Sequence, residues 1–249
     1  MNTKIGILLI LLVLITGCSV GNKQTEVPEV TPEVAETAEP EKQSWGLLPQ
    51  TEEVPDSYFD DAVMIGDSRM QGLYEFDLLP DTTVLAARSL SIRDLSVKKV
   101  IEQDGVKKTV MEALAETDCN KIYICFGFNE LGYSYPEVFA KKFAEAIDQI
   151  RELKPEVPVV VLTLFPVSEA HQEKKDEFEN VERINEYNDL ILDMARQKQT
   201  YIVDVREAVM DEKGYLKEEY TEDGTHLDTE GMKVWLHWLK THALEGETE

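Results

Sequence analysis

Five short runs along this chain are almost wholly apolar: Ala62 to Ile65, Thr83 to Ala87, Lys121 to Phe126, Val157 to Leu164 and Tyr201 to Val205. Runs of this length without strict alternation predict strands buried on both faces. The segments between them carry a helical period instead. Val138, Phe139, Phe143, Ile147 and Ile150 recur at three- and four-residue spacing, behind a Ser134-x-x-Glu137 capping pattern and ahead of Pro155. Val181, Ile184, Tyr187, Ile191 and Met194 make a second stripe; Met232, Trp235, Leu236 and Leu239 make a third, with Asp228 as its N-cap. Strands alternating with helices predict a three-layer α/β/α domain on a five-stranded parallel sheet. Ligands of such sheets sit at the carboxyl ends of the strands.

The first 56 residues follow neither pattern. Lys4, an apolar stretch from Ile5 to Ile15 and Thr16-Gly17-Cys18 lay out a secretory leader whose apolar part is too short to span a bilayer. Ile15-Thr16-Gly17-Cys18 resembles the bacterial lipobox. That resemblance implies cleavage before Cys18, lipidation of its sulfur and an extracytoplasmic protein tied to the cell membrane by this N-terminal anchor; the alternative is an ordinary signal peptide with a chance cysteine. Between residues 19 and 56, Pro28, Pro32, Pro40, Pro49 and Pro55 alternate with glutamates, which predicts an extended, unfolded tether. Trp45, Leu47 and Leu48 are its candidates for packing back on the domain. The chain thus divides into a leader (1–18), a tether (19–56) and a folded domain (57–249).

Charge narrows the partners. With 25 Lys and Arg against 49 Asp and Glu, a net −24, the chain has no clustered basic surface for nucleic acid or for adsorption to anionic lipid. Cys119 and Cys125 flank one apolar run, and if that run is a strand they lie up to about 20 Å apart, beyond disulfide reach. Both read as free thiols, Cys125 as a buried strand residue with a catalytic thiol as the lesser alternative. No Cys pair or His-x-x-x-His spacing supports a zinc site, and Gly66 to Gly72 lacks the Lys-Ser/Thr ending of a phosphate loop.

Polar residues able to do chemistry follow the strands: Gly66-Asp67-Ser68-Arg69 after the first, Gly127-Phe128-Asn129-Glu130 after the third and, well after the fifth, Asp223-Gly224-Thr225-His226. A serine at a strand-to-helix turn exposes its hydroxyl and points its own N–H into the site, and Ser68 is placed for this. Of the four histidines, His226 sits in a loop beside a carboxylate, Asp223, near enough to fix its tautomer. Asn129 has an amide to offer an oxyanion. His171 reads as a solvated residue of a polar loop, Glu169 to Asp176, with substrate contact as the lesser alternative; His237 and His242 read as surface residues. Trp235 is core-like and Trp238 a boundary residue.

Taken together, the three blocks resemble the SGNH (GDSL-type) esterase and acylhydrolase superfamily over residues 57 to 245. The resemblance implies a flavodoxin-like fold, Ser68, Asp223 and His226 as the catalytic residues, Asn129 in the oxyanion hole, and no metal or other cofactor. It places Ser89 where the family has a glycine whose N–H completes that hole, and it brings Arg88 near the site; a serine there is strained if the φ angle is positive. Asp67, Arg69, Arg88 and Glu130 are candidates for substrate contact. The function implied is a serine ester hydrolase acting on a small-molecule or glycan ester, such as a carbohydrate or cell-envelope O-acetyl group. The alternative is a surface lipoprotein that keeps the fold and binds a ligand or glycan with weak turnover or none, for which the Arg88-Ser89 departure is the only positive sign.

Overall fold

The computed structural model describes residues 45–244; Cys18, the leader and most of the tether lie outside the described residues. The strands are β1 (Gly46–Leu47), β2 (Ala62–Gly66), β3 (Thr83–Ala86), β4 (Ile101–Gln103), β5 (Val106–Lys108), β6 (Lys121–Cys125), β7 (Val159–Leu162) and β8 (Tyr201–Val203). The helices are α1 (Ser68–Glu75), α2 (Val110–Glu116), α3 (Pro136–Leu153), α4 (Glu169–Gln172), α5 (Val181–Gln197), α6 (Arg206–Val209) and α7 (Thr229–Lys240). The main sheet is wholly parallel in the order β1-β8-β7-β6-β2-β3. All five apolar runs are strands in it, and every residue of β2, β6 and β7 is buried. Among these five the strand order reverses between β2 and β6, so the loops leaving both open onto one crevice.

The sheet has six strands, not five. The additional one, β1, lies inside the segment read as tether and extends the β8 edge, with Gly46 N–H donating to Thr200 O at 3.0 Å and Leu48 N–H to Ile202 O at 2.8 Å. Two residues joined through main-chain bonds leave no hydrophobic period to read, which is why the pattern misses them. Leu48 and Val54 are buried, whereas Trp45 and Leu47 stay exposed. Thr51 and Val54 then bond to carbonyls at the end of α7, fastening the segment to the domain. Among the described residues no helix is long and apolar enough to cross a membrane.

Helices cover both faces. α3 buries Phe139, Phe143, Ile147 and Ile150, and packs on α5 through Phe139 stacked on Tyr187 at 4.8 Å. Val138, at the edge of that stripe, is exposed. The Ser134–Glu137 capping box does not form: the helix starts at Pro136, whose fixed φ and missing N–H suit the first helical position, with no side chain capping it. A capping box does begin α2, where Thr109 and Glu112 exchange side-chain and backbone bonds. Asp228 caps α7 as expected, accepting from Gly231 N–H at 2.8 Å. An antiparallel hairpin, β4–β5, turns at Asp104-Gly105 with positive φ at both residues. Cys119 and Cys125 are unpaired thiols.

Candidate active site

The turn after β2 is tight because Gly66 has no side chain: a Cβ there would lie 2.5 Å from Met70 Cβ and 3.1 Å from the Cys125 carbonyl. Asp67 follows as N-cap of α1, its Oδ1 accepting from Arg69 N–H at 2.9 Å. Ser68 is therefore the first helical residue, and its own N–H has no acceptor among the described residues. The helix N-terminus adds a partial positive charge at that position.

The loop before α7 carries the other partners. Gly224 stands at φ +87°, its N–H bonded to Thr221 Oγ at 2.9 Å. This turn folds Asp223 back on the two residues after the glycine. Asp223 Oδ1 accepts from Thr225 N–H at 2.7 Å, His226 N–H at 2.8 Å and Thr225 Oγ at 3.0 Å, leaving Oδ2 free for His226 Nδ1 at 2.7 Å. On the far side of the ring His226 Nε2 lies 2.9 Å from Ser68 Oγ, a contact between residues 158 positions apart. Burial alone raises the Asp223 pKa, but the bonds from His226 and Thr225 outweigh it and hold the carboxyl well below the usual carboxylate range. Thr225, to which sequence reasoning assigns no role, bonds the acid and lies 3.1 Å from His226 Nδ1.

A cavity of about 450 Å³ opens over these groups. Ser68, Ser89, Asn129, Asp223 and His226 all line it, together with Arg69 and Arg88. Ser89 has φ +55°, so the serine occupies a left-handed conformation that glycine adopts freely and that costs a serine on the order of 1 kcal/mol. Its N–H, like that of Ser68, meets no acceptor among the described residues. The Asn129 amide donates to Leu90 O at 2.9 Å and, over a longer 3.3 Å, to Asp67 Oδ2. Only the longer bond has to yield for that amide to reach an oxyanion. Phe76, Leu227 and Met232 supply apolar wall, and Glu75 and Glu179 supply carboxylates; helical spacing from Ser68 is a signal for Glu75, and nothing local is one for Glu179.

The four candidates for substrate contact separate. Arg88 is on the rim, three-quarters exposed and ion-paired with Glu75 at 3.1 Å. Arg69 runs beneath the cavity floor, its guanidinium 3.7 Å from the Phe128 ring and 4.0 Å from the Phe165 ring, with Nη1 donating to Phe165 O at 2.7 Å. Burial pushes its pKa down to about 10, still cationic at neutral pH. Asp67 and Glu130 do not line the cavity, contrary to the sequence expectation; both are buried behind it, Asp67 as a helix cap and Glu130 as acceptor for the loop that follows Ser89. Burial also raises the Asp67 pKa.

Glu130 carries a stability signature. Burial, against the lowering pull of Ile92 N–H and Ser91 O–H, pushes its carboxyl up to about 7, and the Asp67 charge adds to the rise. A group whose pKa is raised on folding stabilises the fold while protonated and loses that contribution as pH climbs from the ordinary 4.5 through 7. Glu130→Gln is therefore expected to gain stability on its parent across that window, by on the order of 3 kcal/mol at most, checked by urea midpoints on either side of it.

One further expectation changes. His171 is buried on α4 rather than solvated, with Nε2 3.3 Å from Glu179 Oε2 and its Cβ against Gly224. A Cβ on Gly224 would meet His171 Cβ at 2.7 Å and Ser168 Oγ at 2.8 Å. Gly224→Ala is accordingly expected to cost about 1–3 kcal/mol and to displace Asp223 and His226, read from a thermal melt. Cys125, with its thiol pKa raised by burial, stays protonated and is no nucleophile. His237 is an exposed residue near Glu53, and His242 stacks on Trp238, a boundary residue as expected; Trp235 is in the core.

A serine on a strand-to-helix turn, bonded to a histidine and through it to an aspartate at the switch point of a doubly wound sheet, defines the class of site seen in acyl-transferring hydrolases. The chain belongs to the GDSL-like Lipase/Acylhydrolase family, which matches residues 64–234. Solved structures share the fold. A protein from Streptococcus pneumonia named for platelet activating factor aligns with TM-score 0.57 at 20% identity, covering 74% of this chain and 89% of that one. A GDSL-like lipase from Bacteroides thetaiotaomicron VPI-5482 aligns with TM-score 0.53 at 16% identity, covering 77% and 90%. A mutant acetyl esterase with acetate ion aligns with TM-score 0.51 at 13% identity, covering 72% and 94%. No curated protein matches the sequence.

Proposed function

We propose that this chain is a serine ester hydrolase working through an acyl-enzyme. The observation that carries the reading is the continuous run of bonds from Asp223 Oδ2 to His226 Nδ1 at 2.7 Å and from His226 Nε2 to Ser68 Oγ at 2.9 Å. Asp223 keeps the ring proton on Nδ1, so Nε2 has a lone pair for the Ser68 hydroxyl proton. Ser68 Oγ then attacks the ester carbonyl, and the N–H groups of Ser68 and Ser89, joined by the Asn129 amide, face the oxygen as it becomes an oxyanion. His226 passes its proton to the leaving alcohol, and water, deprotonated by the same ring, releases the acid.

The substrate we infer is a short acyl ester on a polar, glycan-like alcohol in the cell envelope or its surroundings. A cavity of about 450 Å³ with carboxylates, two arginines and only a few apolar walls suits a small acyl group on a polar carrier better than a long chain. The acetyl esterase of like fold is in keeping with this. Location outside the cytoplasm, on a lipid anchor at Cys18, is part of the same proposal and rests on the leader sequence. The test is acetate release from O-acetylated glycan and p-nitrophenyl acetate, set against p-nitrophenyl octanoate. The reading expects acetyl turnover to exceed octanoyl turnover at least tenfold; equal or reversed rates overturn the short-acyl assignment. No turnover of any ester by folded protein favours the non-hydrolytic binder instead.

A further inference from the structure

The loop that carries Ser89 is fastened, residue by residue, to the turn that carries Asn129. Leu90 O accepts from Asn129 Nδ2 at 2.9 Å, Ser91 Oγ donates to Glu130 Oε1 at 2.8 Å, and Ile92 N–H donates to the same oxygen at 2.7 Å. The Tyr133 hydroxyl closes the set, 3.2 Å from Ser91 Oγ. Glu130 itself is held in place from α5, where the Tyr187 hydroxyl donates to its main-chain carbonyl.

Two observations make this more than loop packing. Glu130 is fully buried and has no Lys or Arg ion pair among the described residues, an expensive placement for a carboxyl that two strong donors ease without cancelling. Those donors are successive residues of one loop, Ser91 and Ile92. The second observation is the left-handed φ of Ser89, immediately upstream. A non-glycine residue stays in that region only where its surroundings over-determine it, and here the fixed points are the three residues that follow.

Building on the esterase reading above, we propose that Glu130 is a positioning residue: by accepting from Ser91 and Ile92 it holds the Ser89–Ile92 loop in the conformation that turns the Ser89 N–H toward the developing oxyanion. Glu130 touches neither the substrate nor the reacting atoms. It lets a serine do what a glycine does without help, because the clamp supplies the conformational restraint that the side chain opposes.

The test uses the full chain with Glu130→Leu, which removes the oxygen that accepts both bonds, and Glu130→Gln, which keeps an oxygen at the Oε1 position. Steady-state kinetics on p-nitrophenyl acetate are paired with amide hydrogen exchange across residues 87–93. For Glu130→Leu the expectation is a fall in kcat of about ten- to a hundredfold with KM within about twofold, below the 10²–10³-fold loss of an entire hole donor. Exchange should quicken at residues 87–93 and not in α1. Glu130→Gln should recover kcat to within about threefold of wild type. Ser91→Ala, which removes one donor and buries nothing new, should move both readouts the same way by less, so a Glu130→Leu chain that fails to fold does not shelter the idea. Wild-type kcat and exchange in a folded Glu130→Leu, or in Ser91→Ala if the former does not fold, would overturn it. So would a Gln variant no better than Leu, since that is the behaviour of a merely structural carboxylate. If wild-type protein hydrolyses no ester, the esterase reading falls first, and the exchange data alone decide whether the clamp exists.

Discussion

Ser68→Ala should lower ester hydrolysis by about 10⁵-fold or more while leaving the melting temperature within a few degrees of wild type, because the nucleophile acts with its base as one unit and contributes little to packing. Ser68 is partly exposed, and its side chain makes one hydrogen bond, to His226. Alanine is a good helix former, so α1 is not weakened at its first position by the change. What remains after the substitution is water attacking an ester held by the unaltered N–H groups of residues 68 and 89. The check is a steady-state assay with enough enzyme to see that remainder, alongside a thermal melt. A loss of less than tenfold would mean that another group is the nucleophile, and Cys125, buried and protonated, does not offer one.

Asp223→Asn carries the second large effect, about 10³- to 10⁴-fold in kcat, without loss of the loop. The Asn carbonyl oxygen can still accept the Thr225 and His226 N–H bonds that Asp223 Oδ1 accepts at 2.7 and 2.8 Å, so the turn around Gly224 persists. Its NH₂ group, however, now faces His226 Nδ1. Two donors cannot face each other, so the ring proton moves to Nε2 and points at Ser68 Oγ, where a lone pair is needed. The prediction separates geometry from protonation: structure kept, rate lost. It is read by comparing kcat with the circular dichroism and melting curve of the variant. An Asn variant within tenfold of wild type would mean that the Asp223–His226 bond holds the ring in position and does nothing more.

The sheet and the three motif loops were legible in the sequence for physical reasons. Strands buried on both faces must be nearly continuous in apolar residues, and β2, β6 and β7 are. Ser68 and Asn129 stand out because polar residues just past the ends of such strands have no packing role to explain them, and His226 because a carboxylate lies three residues before it in a polar loop. What escaped is what depends on distant partners. β1 is recognised only by its main-chain bonds to β8, across more than 150 residues of chain. His171 looks solvated until α4 is seen packed on Gly224. Glu130 and Asp67, in motifs whose neighbours face the cavity, turn inward because helix caps and loop donors claim them, and only contacts such as Glu130 with Ile92 reveal it. Ser89 is intermediate: its motif alignment raised the question of strain, and its φ of +55° answers it.

Whether Ser68 is an activated nucleophile is read by covalent labelling of the full chain with a fluorophosphonate probe, the adduct mapped by mass spectrometry. No substrate has to be guessed. An activated Ser68 gives a single adduct at that residue, formed quickly in wild type and abolished in both Ser68→Ala and His226→Ala. A folded wild-type protein that takes up no probe, or takes it up equally when His226 is replaced, would contradict it.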